Sequence, residues 1–156
     1  MSTTYRAIAA TPEHVFAVLA NGWLYPSWVV GASRMRNVDE AWPEPGSRLH
    51  HSIGTWPFLI DDTTSVVDWD PPRRVRLIAR GWPIGEAEVT IEVKPRGGGS
   101  IVRMSEDASR GPGRWIPSVV RQVGIHYRNT ESLRRLAYLA EGGAAAAADQ
   151  SRGQAV

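Results

Sequence analysis

The sequence predicts an α+β fold: a curved antiparallel β-sheet of about seven strands gripping a long C-terminal α-helix, with two short helices after the first strand. Three patterns lead there. From Gly46 to Asp107 apolar and polar residues alternate, the period of half-buried strands. Turn-forming clusters such as Asp70-Pro71-Pro72 and Gly97-Gly98-Gly99 divide that region, and strands joined by tight turns form an antiparallel meander. From Trp115 to Glu141 apolar residues recur at three- and four-residue steps: Val119, Val123, Tyr127, Thr130, Leu133, Leu136, Ala137 and Ala140. That spacing makes an amphipathic helix, and a helix this long needs an apolar surface to lie on.

In order along the chain, residues 3–9 can form a strand. Thr11-Pro12-Glu13 opens a helix with a capping hydroxyl, a proline in the first turn and an acid beside it. Val15, Phe16, Val18 and Leu19 give this helix its apolar face, and Asn21-Gly22 stops it. Trp23 to Val30 is aromatic and broken by Pro26, an irregular helical turn leading to a strand over 32–39. Strands follow over 46–54, 63–69, 73–80, 86–94 and 100–107, the cleanest being the one that alternates Ala87, Val89, Ile91 and Val93 with Glu86, Glu88, Thr90 and Glu92. Arg110-Gly111-Pro112-Gly113 and Pro117 mark the start of the long helix, and Glu141-Gly142-Gly143 its expected end. Residues 1–141 therefore read as one domain. Residues 142–156, five alanines among polar residues, read as a disordered tail.

Composition narrows the function. The 156 residues carry a formal charge of +2, and the 18 basic residues are scattered arginines apart from Lys94, so a nucleic-acid partner is not expected. With no cysteine, disulfides, thiolate metal sites and cysteine nucleophiles are excluded. No His/Asp/Glu spacing resembles a metal site, and no cofactor is implied. No apolar run approaches the ~20 residues of a membrane span. The N-terminal residues show no basic region followed by an apolar run, so a cytoplasmic location is expected. There is no GxSxG turn, and oligomeric state is not legible.

Several segments together resemble a known superfamily. They are Ala10-Thr11-Pro12-Glu13-His14-Val15-Phe16, Tyr25-Pro26-Ser27-Trp28, Asp70-Pro71-Pro72-Arg73-Arg74-Val75, the glycine hairpin at 97–99, and Arg128-Asn129-Thr130-Glu131-Ser132-Leu133-Arg134-Arg135-Leu136. Across residues 3–141 the chain resembles the START-like or Bet v 1-like (SRPBCC, helix-grip) superfamily, in its bacterial polyketide cyclase/dehydrase and lipid-transport branch. The resemblance implies a cavity between sheet and long helix that takes lipids, sterols or polyketides. Some members catalyse cyclisation or dehydration there; others are co-chaperones.

The candidate site residues follow from strand and helix phase. His50 and His51 are adjacent on a strand and must point to opposite faces; His51, in phase with Leu49 and Ile53, is the inward one. Glu106 shares a face with Val102 and Met104, and is either buried beside a partner or reaches water at the strand end. His126 and Asn129 lie on the long helix, facing a cavity or edging the helix. One of Asp61 and Asp62 faces inward, and phase does not say which. His14 is assigned no role. Trp28, Trp56, Trp82 and Trp115 sit near turns, where they line or lid a pocket or fill the core.

Three readings follow. In the first, the domain binds a hydrophobic small molecule, with Trp28, Trp56, Trp82, Met104, Val123 and Tyr127 as apolar walls and His51, Glu106, His126 and Asn129 as polar contacts. In the second, a cyclase, dehydratase or hydrolase on the same fold, His51 or His126 moves protons while Arg103 or Asn129 stabilises an enolate or oxyanion. The third is a co-chaperone-like domain with a collapsed core. The cavity separates them: a filled core favours the third, an apolar cavity the first, and a histidine bonded to a carboxylate inside it the second.

Overall fold

A computed structural model describes residues 1–81, 85–110 and 118–153. The elements are β1 (Ser2–Ile8), α1 (Pro12–Ala20), a single helical turn at Gly22–Leu24, α2 (Tyr25–Trp28), β2 (Ala32–Val38), β3 (Arg48–Thr55), β4 (Phe58–Asp70), β5 (Arg74–Gly81), β6 (Gly85–Arg96), β7 (Gly99–Arg110) and α3 (Ser118–Gly153). The strands form one antiparallel sheet in the order β1-β7-β6-β5-β4-β3-β2, so β1 crosses over to pair with β7. The expected fold class is the observed one.

Turn chemistry fixes the register where it can be checked. Arg96 pairs with Gly99 across a two-residue loop, and Gly97 and Gly98 both take positive φ, at 54° and 83°, which glycine adopts without steric cost. Gly22 serves a different need. A Cβ there would lie 2.6 Å from Leu49 Cδ2 and 2.9 Å from Val38 Cγ1, so only glycine lets this turn close onto β2 and β3.

The concave face of the sheet carries the core. Leu49, Val66, Val75, Leu77, Ile91, Val93 and Val102 are buried there, α1 contributes Val15, Phe16 and Leu19, and α3 contributes Leu133, Leu136, Ala137 and Ala140. The convex face is wet and charged, and several arginines of the strand region are paired on it. Arg74 reaches Asp68 at 2.8 Å, Arg103 reaches Glu92 at 3.0 Å, and Arg80 reaches Glu86 at 3.1 Å. Exposed pairs of this kind contribute about 0–1 kcal/mol each. The arginines serve the surface.

Two expected boundaries move. β4 begins at Phe58, well before Thr63, because the β3–β4 hairpin turns at Trp56-Pro57. The long helix does not end at Gly142-Gly143, and the stretch expected to be a disordered tail is helical as far as Gly153. Neither glycine has a positive φ, and the alanines that follow are the best helix formers; glycine weakens a helix there without ending it. The expected helix start at Trp115 and Pro117 lies outside the described residues.

Leu136 is fully buried between α3 and the sheet. Leu136→Ala is expected to lower unfolding stability by about 2–5 kcal/mol, measured by urea titration. A loss below ~1 kcal/mol would mean that α3 does not close the core as described.

Candidate functional site

Between the sheet and the N-terminal half of α3 the core opens into a cavity of about 200 Å³. Its walls come from α2 and the segment after it (Trp28, Val29, Val30), from β3 and β5 (Ile53, Leu77, Ala79), and from β6 and β7 (Val89, Met104). Its polar side chains are Tyr25, His51, Thr64, Glu106, Arg128, Asn129 and Ser132, with Arg80 also on the lining.

Strand alternation places most of these. His51 pairs opposite Asp62 and Leu49 opposite Thr64, and directly opposed residues share a face. His51, Asp62 and Thr64 are accordingly all buried, which resolves the aspartate pair: Asp62 turns inward, while Asp61 is exposed and salt-bridged to Arg36 at 3.3 Å. His50 points the other way and meets Asp39 at 2.9 Å. Segment 29–32 is tied down by the Val30 amide, which donates to Ser132 Oγ at 3.1 Å, and by the Gly54 amide, which donates to Gly31 O at 3.2 Å.

Two polar arrangements lie inside. In the first, the Thr64 hydroxyl sits between the Tyr25 hydroxyl at 2.9 Å and His51 Nε2 at 3.0 Å, with the Tyr25 and His51 rings 5.0 Å apart. Burial, which disfavours charge, pushes the Tyr25 hydroxyl up to about 12 and holds His51 below the ordinary histidine value. Both groups are therefore neutral at pH 7. In the second, Arg128 donates through Nη2 to Glu106 Oε2. Glu106 is buried and Arg128 half-exposed, so the guanidinium supplies a counter-charge from the solvent side to a carboxylate that would otherwise be stranded.

Of the residues expected in a site, Trp28, His51, Met104, Glu106 and Asn129 come together around this cavity. The others do not. Trp56 is 85% exposed at the β3–β4 hairpin tip, because the two-residue turn leaves it nothing to pack on. Val123 is 66% and Tyr127 76% exposed: at 3.6 residues per turn Tyr127 sits about 120° round the helix from Leu133, off the buried stripe. His126 is exposed too. It faces β1, where Nδ1 lies 3.2 Å from Thr4 Oγ1, and borders a separate, open surface depression. Arg103 alternates with the inward Val102 and Met104 and lies on the convex face, paired to Glu92. Trp82 lies outside the described residues. Reading the sequence missed Tyr25, Thr64, Arg128 and Ser132 as site residues.

The family model described as polyketide cyclase / dehydrase and lipid transport matches residues 2–141. The chain belongs to that family. No curated protein sequence matches significantly, but many solved structures share the fold. One from Rhodobacter sphaeroides is 25% identical, with a TM-score of 0.68 over 88% of this chain and 89% of that one. The chain Ara h 8.0201 is 12% identical, with a TM-score of 0.63 over 88% of this chain and 95% of its own. The di-domain ARO/CYC StfQ of the steffimycin biosynthetic pathway is 13% identical, with a TM-score of 0.67 over 94% of this chain and 51% of StfQ. The family model establishes the family, and the structural likenesses agree with the helix-grip fold. Among the described residues no helix is long and apolar enough to cross a membrane.

The depressed His51 value has a consequence for stability. Between the folded value and the unfolded value near 6.5, the unfolded chain binds a proton that the folded one refuses. Stability should therefore rise with pH through that window, and His51→Asn should flatten the rise. Urea titrations from pH 5 to 7.5 test this, and an unchanged slope in the variant would sink it.

Proposed function

We propose that this protein binds a compact hydrophobic small molecule, lipid-like or polyketide-like, in the cavity between the sheet and α3. The observation that carries the reading is the cavity itself: apolar walls from five strands and α2, with a few buried polar groups, the composition of a small-molecule site. A core that had to serve only as packing would be filled at this point. That counts against the co-chaperone-like alternative. The volume limits the ligand. Pockets for drug-sized molecules run to about 300–1,000 Å³, so about 200 Å³ accommodates a one- or two-ring molecule or the end of a longer one.

The second reading, a polyketide cyclase- or dehydratase-type enzyme, draws support from the neutral His51 in the same cavity as the Glu106–Arg128 pair. We place it second for two reasons. The ring partner of His51 is the Thr64 hydroxyl, and among the described residues no hydrogen bond joins it to a carboxylate that would hold a general base in place. Arg103, offered as an oxyanion partner, is on the other side of the sheet.

Native mass spectrometry of the purified protein, followed by denaturing extraction, tests the first reading. The expected result is an apolar molecule retained at one per chain and lost in Ala79→Phe, which fills the cavity from β5. If wild-type protein stays apo and also fails to take up a fluorescent hydrophobic probe, the binding reading falls. Turnover of the extracted molecule that disappears in His51→Ala while binding persists would put the enzymatic reading first.

A further inference from the structure

The hydrogen positions in the cavity can be worked out by counting. Tyr25, Thr64 and His51 are buried and, at neutral pH, each carries one hydrogen to donate: the phenol O–H, the hydroxyl O–H and one ring N–H. The Thr64 oxygen is within hydrogen-bond distance of the Tyr25 hydroxyl and of His51 Nε2. Suppose Nε2 carries the ring hydrogen and donates to Thr64. Then either the Tyr25 or the Thr64 hydrogen has no acceptor among the described residues, and Nδ1 is left as a buried bare acceptor. Two groups are unmet. Suppose instead that Tyr25 donates to Thr64 and Thr64 donates to Nε2. Both hydroxyls are then satisfied, the ring hydrogen sits on Nδ1, and Nδ1–H alone is unmet. Because each unmet buried group is costly, the second arrangement prevails.

His51 Nδ1 has no hydrogen-bond partner among the described residues, and neither has the amide nitrogen Asn129 Nδ2. Both residues are 2% exposed and both line the cavity. With the tautomer assigned, both of these atoms are donors. The nearby carboxylate of Glu106 is engaged by Arg128.

Resting on the binding reading above, we propose that the cavity selects compact apolar ligands carrying a carbonyl oxygen, a ketone, ester or quinone, which accepts hydrogen bonds from His51 Nδ1–H and Asn129 Nδ2. A carbonyl oxygen has two lone pairs and no hydrogen of its own, so it meets unsatisfied donors without bringing a further unmet group. A hydrocarbon of the same shape leaves both donors buried and dry. Tyr25 and Thr64 act as positioning residues: they hold the ring hydrogen on Nδ1.

Two measurements on the wild-type chain test this, using 1-tetralone and tetralin, which share a two-ring skeleton and differ in one oxygen. Imidazole ¹⁵N shifts should show His51 with hydrogen on Nδ1, and Thr64→Val should remove that bias. NMR titration should show 1-tetralone binding about tenfold to a hundredfold tighter than tetralin, a preference that shrinks in Asn129→Leu. An Nε2–H tautomer, or equal affinity for the two compounds, overturns this proposal and leaves the binding reading standing. Failure of both compounds to bind, in a protein that also carries no extractable ligand, overturns the two together.

Discussion

The concave face of a seven-stranded sheet has to be kept from water, and one helix covers it unevenly. Along α3 the inward residues change character. Leu133, Leu136, Ala137 and Ala140 fill the space against the sheet, whereas Arg128, Asn129 and Ser132, one to two turns earlier, border the cavity. Leucine against a curved sheet makes core; asparagine and serine at the same depth make room. The cavity is thus a consequence of where the helix stops presenting large apolar side chains. The α2 segment, with Tyr25 and Trp28 at 5.5 Å and nearly perpendicular, walls it from the other side.

Opening a core to make a pocket has a cost in polar burial that the fold meets unequally. A buried carboxylate without a partner is destabilising by several kcal/mol, about 3–5 when an existing pair is broken. Glu106 avoids this only because Arg128, from a different element, reaches it. Breaking that contact would therefore affect stability and the pocket together. The Tyr25–Thr64–His51 chain is satisfied along its length and open at one end. Native proteins leave few such ends; an unmet nitrogen on each of two residues bordering one cavity sets this region apart from the rest of the core.

What was legible in the sequence follows from how strictly each kind of periodicity holds. Strand alternation has a period of two and does not drift, so the inward phase of His51, Met104 and Glu106 could be read from neighbouring residues. The same alternation puts Arg103 outside, so the sequence itself carries the signal that places it away from the site. Helical phase is less forgiving. Steps of three and four can be chained from Leu133 back through Thr130 and Tyr127 to Val123 while walking off the buried face, since each step errs by tens of degrees. Asn129 lies on the true stripe and Tyr127 does not. Arg128 looked like a solvated charge because a sequence does not show that Glu106 is opposite it.

Thr64 marks the limit of reading one element at a time. Nothing about a threonine in a strand singles it out, and its position depends on hairpin register. Placing the β3–β4 turn at Trp56-Pro57 pairs Leu49 with Thr64 and His51 with Asp62, and the inward face of β3 then dictates the inward face of β4. Beginning β4 at Thr63 hides that pairing, because the residues that define the turn are then assigned to a loop. The polar end of the cavity is therefore set by the register of one hairpin. A one-residue slip would turn Asp62 and Thr64 to the convex face, leaving both His51 and Tyr25 without the hydroxyl between them.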